Sequence, residues 1–223
     1  MFVKNLHVIS FLGIFSLLSI TFPCIAENAL AGKVVYISDK LFAVAPDYSE
    51  RSIKRGASFF QGDTLKTSES SRVQLRFRDG AVVVLHSETE FRIDAFSYAD
   101  TIDAQLQNEA SIFRGSLLKG SLRTITGDIG KKDPGSYWLN TPVATVFQVQ
   151  DANYELVLGN AGLAVAVWEG SLVIENEGGS ITLGGDSEFS YAFITETTVI
   201  PQGLSTPPDL VEWNKEDQVT EEP

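Results

Sequence analysis

The chain consists largely of short apolar runs that are separated by glycine-containing or polar turns. Representative runs are KVVYI, LFAVA, ATVFQVQ, NYELVL, SLVIEN and SITLG. Short runs that are rich in β-branched and aromatic residues and bounded by turn residues are typical of β-strands. The sequence therefore predicts an all-β fold, built either as stacked antiparallel sheets or as a flattened β-solenoid of hairpins.

The strongest local signal is a hairpin centred on Asp79 and Gly80. In the preceding run RVQLRF, the residues Val73, Leu75 and Phe77 alternate with polar residues, which predicts a strand with one buried face. The apolar run AVVVL follows the Asp-Gly pair directly. A two-residue Asp-Gly link favours a type I′ turn, in which both central residues adopt positive φ.

Residues 1–26 have the pattern of a secretory signal peptide. Lys4 precedes the apolar run VISFLGIFSLLSITF, and small residues follow at Cys24 and Ala26. An uncleaved membrane anchor is the alternative, although the run is shorter than the roughly 20 residues that a span needs. We predict cleavage before Glu27, no membrane span after cleavage, and a periplasmic or secreted location in a Gram-negative-type bacterium. The mature chain would then contain no cysteine.

Charge separates the chain into a domain and an acidic end. Asp and Glu outnumber Lys and Arg by 29 to 17, which disfavours a nucleic-acid partner. Residues 27–200 are predicted to form the domain, and the proline-rich, acidic segment 201–223 a disordered tail. Within this tail, PDLVEWNKE could form a short helix that lays Leu210 and Trp213 on a partner or on the domain itself. A tail with no role is the alternative.

Two groups of residues are candidate chemical sites. His86, Glu88 and Glu90 would share one face of a straight strand and could offer a metal one imidazole and two carboxylates. A polar bend at this place is the favoured interpretation, so we predict no metal, no cofactor and no catalytic residue. The aromatic residues Tyr137, Trp138 and Trp168 could instead form a sugar-stacking platform, although such residues more often pack in β-proteins.

Several blocks in order resemble the FecR-like domain family. The segment Gly56 to Ile93 carries Gly62-Asp63 ahead of Thr67, and then Asp79-Gly80 between two strands. The segments FRGSLLKGSLRTITGDIGK, YWLNTPVATV and WEGSLVIENEGGSITLGGDSEF resemble the following blocks. The resemblance covers residues 31–193. It implies an all-β domain that senses a signal or contacts a protein outside the cytoplasm.

The chain departs from the family after TPVAT. There the family usually carries a Gly-hydrophobe-Arg-Gly-Thr signature followed by an aromatic residue, whereas this chain reads VFQVQDANYEL, with one residue inserted upstream. Thr141, Pro142 and Tyr154 belong to the family framework, which this chain retains. Gln150, Asp151 and Ala152 stand where the family has arginine, glycine and threonine. We expect Asp151 to tolerate the left-handed conformation of the family glycine, and a bulge to absorb the insertion.

The resemblance implies an exported, non-catalytic FecR-like module that serves protein interaction or signal relay in the bacterial cell envelope. Its partner would then be an envelope protein. The alternative is a carbohydrate-binding module for cell-wall or surface glycans, which would need aromatic side chains exposed together in a groove. We expect no enzymatic activity.

Overall fold

The computed structural model describes residues 29–99, 110–148 and 151–208. The predicted signal peptide lies outside these ranges. No helix within them is long and apolar enough to cross a membrane. The strands are β1 Leu30–Ile37, β2 Leu41–Val44, β3 Glu50–Ile53, β4 Ser58–Phe60, β5 Thr64–Thr67, β6 Val73–Phe77, β7 Val82–Leu85, β8 Glu90–Ser97, β9 Ile112–Ile125, β10 Tyr137–Asn140, β11 Thr145–Gln148, β12 Asn153–Gly159, β13 Gly162–Glu169, β14 Ser171–Asn176, β15 Gly179–Gly184, β16 Tyr191–Ile194 and β17 Gln202–Leu204. A short helix α1, Asp128–Lys132, and a 3₁₀ turn, Pro134–Ser136, follow β9.

The strands form two sheets that share the long strand β9. Sheet A has the order β4-β1-β6-β7-β9-β12-β13-β16-β17. Sheet B has the order β3-β2-β5-β8-β9-β10-β11-β14-β15. Among the described strands only the pairing of β9 with β10 is parallel. The all-β prediction is confirmed, and of its two alternatives the stacked antiparallel sheets describe the molecule.

Strand β9 passes from one sheet to the other at Gly120. Residues before this glycine pair with β8 in sheet B, and residues after it pair with β12 and β7 in sheet A. Gly120 has φ +82°, which breaks the regular pleat. A Cβ at this position would lie 2.6 Å from the Thr89 hydroxyl and 2.8 Å from the Glu88 carbonyl oxygen. A glycine is therefore needed here for both conformation and space.

An aromatic cluster fills the space between the two sheets. Phe77 of sheet A lies 5.0 Å from Phe59 and 5.0 Å from Phe113, measured between ring centroids. Phe113 stacks on Tyr137 at 4.4 Å, and Phe96 closes the group at 5.6 Å from Phe77. Each of these rings is almost completely buried. Burying a ring of this size contributes roughly 2 kcal/mol, so the cluster is a principal source of sheet-to-sheet stability.

The hairpin between β6 and β7 has a different turn from the predicted one. Val73, Leu75 and Phe77 lie in the core. Only Gly80 of the turn is left-handed, with φ +85°, whereas a type I′ turn would require Asp79 to be left-handed as well. Gly80 donates its N–H to the Phe77 carbonyl, and Phe77 donates to the Ala81 carbonyl. The link is thus a three-residue loop that ends in one left-handed glycine.

The side chain of Asp79 is buried and ties the hairpin to helix α1. Its carboxylate accepts the N–H groups of Ala81 at 3.1 Å and Ile129 at 3.4 Å. Burial raises the pKa of this carboxyl above its ordinary value, and the two N–H donors oppose the rise. A Cβ on Gly127 would lie 2.5 Å from a carboxylate oxygen of Asp79. Asp79 therefore serves as a structural anchor of the hairpin.

The domain extends beyond the boundary predicted at residue 200. Strand β17 pairs with β16, with Tyr191 opposite Leu204, and Pro201 is buried. The first residues of the predicted tail thus belong to the edge of sheet A, because backbone pairing of β17 with β16 outweighs the polar composition of the segment. The remainder of the predicted tail, 209–223, lies outside the described residues.

Candidate functional site

Two adjoining clefts lie where the bend after His86 meets the kink of β9. The apolar cleft has a volume of about 480 Å³, and its floor includes Leu118, Val143 and Leu158. The charged cleft, also about 480 Å³, is lined mainly by Asp39, Lys66, Thr67, Ser68, Glu88, Glu90 and Lys119. Glu88 and Lys119 line both clefts, so the two form one continuous groove with an apolar half and a charged half.

The turn of the TPVAT block builds one wall of the apolar cleft. The Thr141 N–H donates to the Ala144 carbonyl at 2.9 Å, and the Thr141 hydroxyl donates to the same carbonyl at 2.8 Å. The hydroxyl also accepts the Ala144 N–H at 3.1 Å. These bonds close a tight turn that presents Pro142 and Val143 to the cleft. Thr141 therefore has a structural role, and Pro142 a place at the candidate site.

Glu88 is held in a left-handed conformation with φ +51°, which is uncommon for a residue with a side chain. Hydrogen bonds around it fix the bend: the Thr67 hydroxyl donates to the His86 carbonyl at 2.6 Å and accepts the Thr89 N–H at 2.8 Å. The Thr89 hydroxyl in turn donates to the Ser121 carbonyl at 3.0 Å. A strained backbone that its surroundings hold in place is common at functional sites.

The charges of the groove form two exposed ion pairs. Lys119 Nζ lies 3.4 Å from Glu88 Oε1, and Lys66 Nζ lies 3.2 Å from Glu90 Oε1. Exposed pairs of this kind contribute at most about 1 kcal/mol each. A binding partner could therefore exchange these pairs for its own at little cost in stability.

His86, Glu88 and Glu90 do not converge on one point. The bend at Glu88 breaks the strand alternation, so that Glu88 faces Lys119 and Glu90 faces Lys66. The His86 ring turns towards the outer face of sheet A, where its Nε2 lies 3.9 Å from Glu155 Oε1. Within the described ranges no group of three or more His, Cys, Asp or Glu side chains is placed to hold a metal ion.

His86 and Glu155 belong to a half-buried cluster of ionisable groups on sheet A. Burial lowers the pKa of His86 from 6.5 to about 4, with the charges of Arg72 and Arg123 adding to the effect. Burial raises the pKa of Glu155 from 4.5 to about 7, against the opposing attraction of Arg123 and Arg72. Arg123 donates through Nε to Asn153 at 3.0 Å. At neutral pH the cluster thus holds a neutral imidazole and a carboxyl group close to its pKa.

The three aromatic residues considered for a sugar platform do not form one. Tyr137 is completely buried in the core. Trp138 faces outward from sheet B, where the Arg114 guanidinium lies 4.1 Å from its ring centroid. Trp168 faces outward from sheet A, with the Arg123 guanidinium at 4.9 Å. The platform does not form because the period of two in a strand places Tyr137 and its neighbour Trp138 on opposite faces of sheet B, and the favoured interpretation, packing, holds for Tyr137.

The altered family signature has a structural setting that differs from the expectation. Gln150 lies outside the described residues. Asp151 is not left-handed and forms an ion pair with Lys131 at 3.3 Å. Ala152 pairs through its backbone with Thr126, accepting that residue's N–H at 3.1 Å. A bulge is present here, but its extra residue is Trp168 on the partner strand β13, because Asn153 pairs with Glu169 and the following residue pairs with Val167.

Tyr154 and Leu156 keep their inward orientation despite the altered signature, and both are completely buried. The close backbone approach in this region involves Gly170, where a Cβ would lie within bonding distance of the Asp151 carbonyl oxygen. The glycine that the contact requires is therefore Gly170, across the sheet from position 151.

Several residues of the groove and the cluster were not found from the sequence. Leu117 is buried, and its neighbour Leu118 is 38% exposed. Two adjacent leucines in a strand must face opposite ways, so the pair LL was an available signal for an exposed apolar residue. Glu155 was also signalled, as a charged residue within the apolar run NYELVL. Its closeness to His86 depends on pairings between distant strands.

The chain is similar to one protein family and to solved structures. Residues 63–173 match the family model described as FecR protein. Two crystal structures of a provisionally named anti-sigma factor from Parabacteroides distasonis are similar, with sequence identities of 17% and 16% and TM-scores of 0.47. Each match covers 66% of this chain and 60% of the other. The chain thus spans less than two thirds of those proteins, and no curated protein matches it.

Proposed function

Because this chain carries a FecR-like domain, we propose that it is a non-catalytic protein-interaction module that relays a signal in the bacterial cell envelope. The proposed contact surface is the groove formed by the apolar and charged clefts. The export of the chain rests on the signal-peptide pattern of residues 1–26. The partner is proposed to be an envelope protein.

One observation carries the choice of surface: separate blocks of the family-matched segment meet at this groove. The bend at Glu88, the kinked strand with Leu118 and Lys119, and the turn at Pro142 and Val143 are distant in sequence and line the same cleft. They all fall within residues 63–173. An apolar floor bordered by charges of both signs is typical of a protein-binding surface.

The composition of the groove favours a protein over a glycan. Its floor is aliphatic, through Leu118, Val143 and Leu158, whereas stacking on sugar rings uses aromatic side chains. The outward-facing tryptophans Trp138 and Trp168 lie on different sheets, where each is already stacked with an arginine. An aliphatic floor suits an apolar side chain of a partner, and Lys119 and Glu88 can set its orientation by charge.

Site-specific photo-cross-linking in cells tests this proposal. A photoreactive phenylalanine analogue at Leu118 is expected to give a discrete adduct with an envelope protein, identified by mass spectrometry. The same analogue at Thr182, which is exposed on the outer face of sheet B, serves as the matched control. Equal adducts at both positions, or none at Leu118, would exclude the groove as the contact surface.

A charge reversal supplies the second arm of this experiment. Lys119→Glu should weaken the adduct formed at Leu118, because it sets two acidic groups side by side at Glu88. Lys54→Glu changes the net charge equally at an exposed turn elsewhere and should leave the adduct unchanged. An adduct that responds identically to both changes would show attraction by net charge and not recognition by the groove.

A further inference from the structure

The outer face of sheet A carries an apolar patch at one side. Ala164 and Ala166 are completely buried beneath larger, partly buried apolar neighbours. The members of this patch are Val157, Ala164, Ala166, Trp168, Tyr191 and Phe193. They alternate along their strands with core residues such as Val165 and Ala192, so they point away from the core. The four larger side chains of the patch are only partly buried, so each keeps apolar surface that a further segment could cover.

The other side of the same face is basic. Arg72 and Arg76 alternate with the core residues of β6, and Lys33 pairs with Arg76 across β1 and β6. Arg123 lies between this group and the apolar patch, opposite Glu155 on β12. We call Lys33, Arg72, Arg76 and Arg123 the basic stripe. The face thus changes from apolar near β16 to basic near β6.

The chain leaves sheet A at the edge of the apolar patch. Leu204 of β17 pairs with Tyr191, a member of the patch, and the described residues end at Pro208. The following segment, 209–223, begins with the apolar residues of DLVEW. Its later part, KEDQVTEEP, contains four acids and one lysine. The order along the chain, apolar and then acidic, matches the order of the surface from the chain exit across the sheet.

The length of the segment is sufficient to cross this surface. Four strand spacings separate β17 from β9, and three more separate β9 from β1, which carries Lys33; together they amount to about 34 Å. The segment 209–223 spans up to about 50 Å when extended. Its acidic part can therefore reach every member of the basic stripe.

We propose that segment 209–223 binds in cis to the outer face of sheet A. Its apolar residues, Leu210, Val211 and Trp213, lie on the apolar patch, and its acidic residues lie along the basic stripe. The segment is covalently tethered to the domain, which gives it a high effective concentration at the surface of sheet A. Weak contacts are therefore sufficient to hold it there. The proposal concerns a surface separate from the groove and does not depend on the partner proposed there.

A spin-label experiment on the mature chain, residues 27–223, tests the proposal. This chain contains no cysteine, so Glu221→Cys gives a single attachment point for a nitroxide. The nitroxide is expected to broaden the amide signals of Arg76, Val84 and Arg123 on sheet A. The signals of Thr145 and Glu175, on sheet B, are the internal control. Broadening of neither sheet, or of both equally, would overturn the proposal.

Two further arms identify the nature of the contact. Arg76→Glu should reduce the broadening on sheet A, whereas Arg55→Glu, at an exposed turn, should leave it unchanged. If Arg76→Glu and Arg55→Glu reduce the broadening on sheet A equally, the basic stripe does not recognise the segment by charge. In a mixture of isotope-labelled chain without the nitroxide and unlabelled chain with it, no broadening is expected. Broadening in that mixture would assign the contact to a second copy and overturn binding in cis.

Discussion

Replacing Glu155 by glutamine should stabilise the domain at alkaline pH and much less at acidic pH. The side chain is almost completely buried on sheet A, opposite Arg123 and 3.9 Å from His86. Burial raises its pKa from 4.5 to about 7. Between these two values the folded chain binds more protons than the unfolded chain, so stability is highest at low pH and falls as the pH rises. Glutamine keeps the shape and cannot ionise.

The expected magnitude follows from these two pKa values. Linkage predicts that ionisation of Glu155 costs the native chain about 2–3 kcal/mol between about pH 5 and about pH 8. The variant lacks this cost, so its stability relative to the native chain should increase by about this amount over the same interval. His86 has its pKa lowered to about 4 and contributes the opposite trend below pH 6.5. It is present in both chains, so its contribution largely cancels in the comparison.

Urea unfolding at the two pH values, followed by circular dichroism, measures this difference. Comparing differences between chains removes any effect of glutamine on packing that is independent of pH. Glu175→Gln is the matched control, because it removes a carboxyl group at an exposed position on sheet B. If Glu155→Gln changes the free energy of unfolding equally at both pH values, the carboxyl group ionises as it would in water and the argument from burial is wrong.

Three further outcomes are expected. Gly120→Ala should lower the free energy of unfolding by about 1–3 kcal/mol more than Gly80→Ala, as measured by thermal or urea unfolding. Both glycines have φ near +80°, but only at Gly120 would the added methyl group collide with neighbouring atoms. Equal losses in the two variants would contradict the steric argument. Arg51→Ala should destabilise the domain by about 2 kcal/mol, because it removes the bidentate hydrogen bonds to the buried Asp63 carboxylate. A change in the free energy of unfolding that lies within the error of urea unfolding would show that this ion pair does not stabilise the fold. Mass spectrometry of the exported protein should find an N-terminus at Glu27, and a retained leader would refute the predicted cleavage.

Local patterns decided those features that depend on a few neighbouring residues. The alternation of Val73, Leu75 and Phe77 with polar residues identified the buried face of β6, because side-chain direction in a strand depends only on sequence parity. The Asp-Gly pair located the hairpin, although the turn type was wrong. There the burial of Asp79 against helix α1 holds the aspartate out of the left-handed conformation. The helix contact lies 50 residues along the chain and left no local signal.

The order of strands in each sheet required the tertiary structure. Nothing in the sequence near β9 indicates that one strand serves both sheets, and the glycine that permits it resembles any other turn glycine until Thr89 is packed against it. The separation of His86 from Glu88 and Glu90 has the same origin. Parity would place the three on one face of a straight strand, and the sequence already favoured a polar bend instead. The Thr67 hydroxyl that fixes this bend belongs to β5, which pairs with β8.

The sequence by itself determined that this chain is all-β and carries a FecR-like domain, because strand period, turn residues and the order of family blocks are all local properties. Only the tertiary structure decided where its candidate surfaces lie. Glu88, Leu118 and Pro142 share a groove, and His86 meets Glu155, through pairings between strands that are far apart in the chain. Such pairings depend on how the two sheets stack around a common core, and the free energy of that packing is shared by residues along the whole domain.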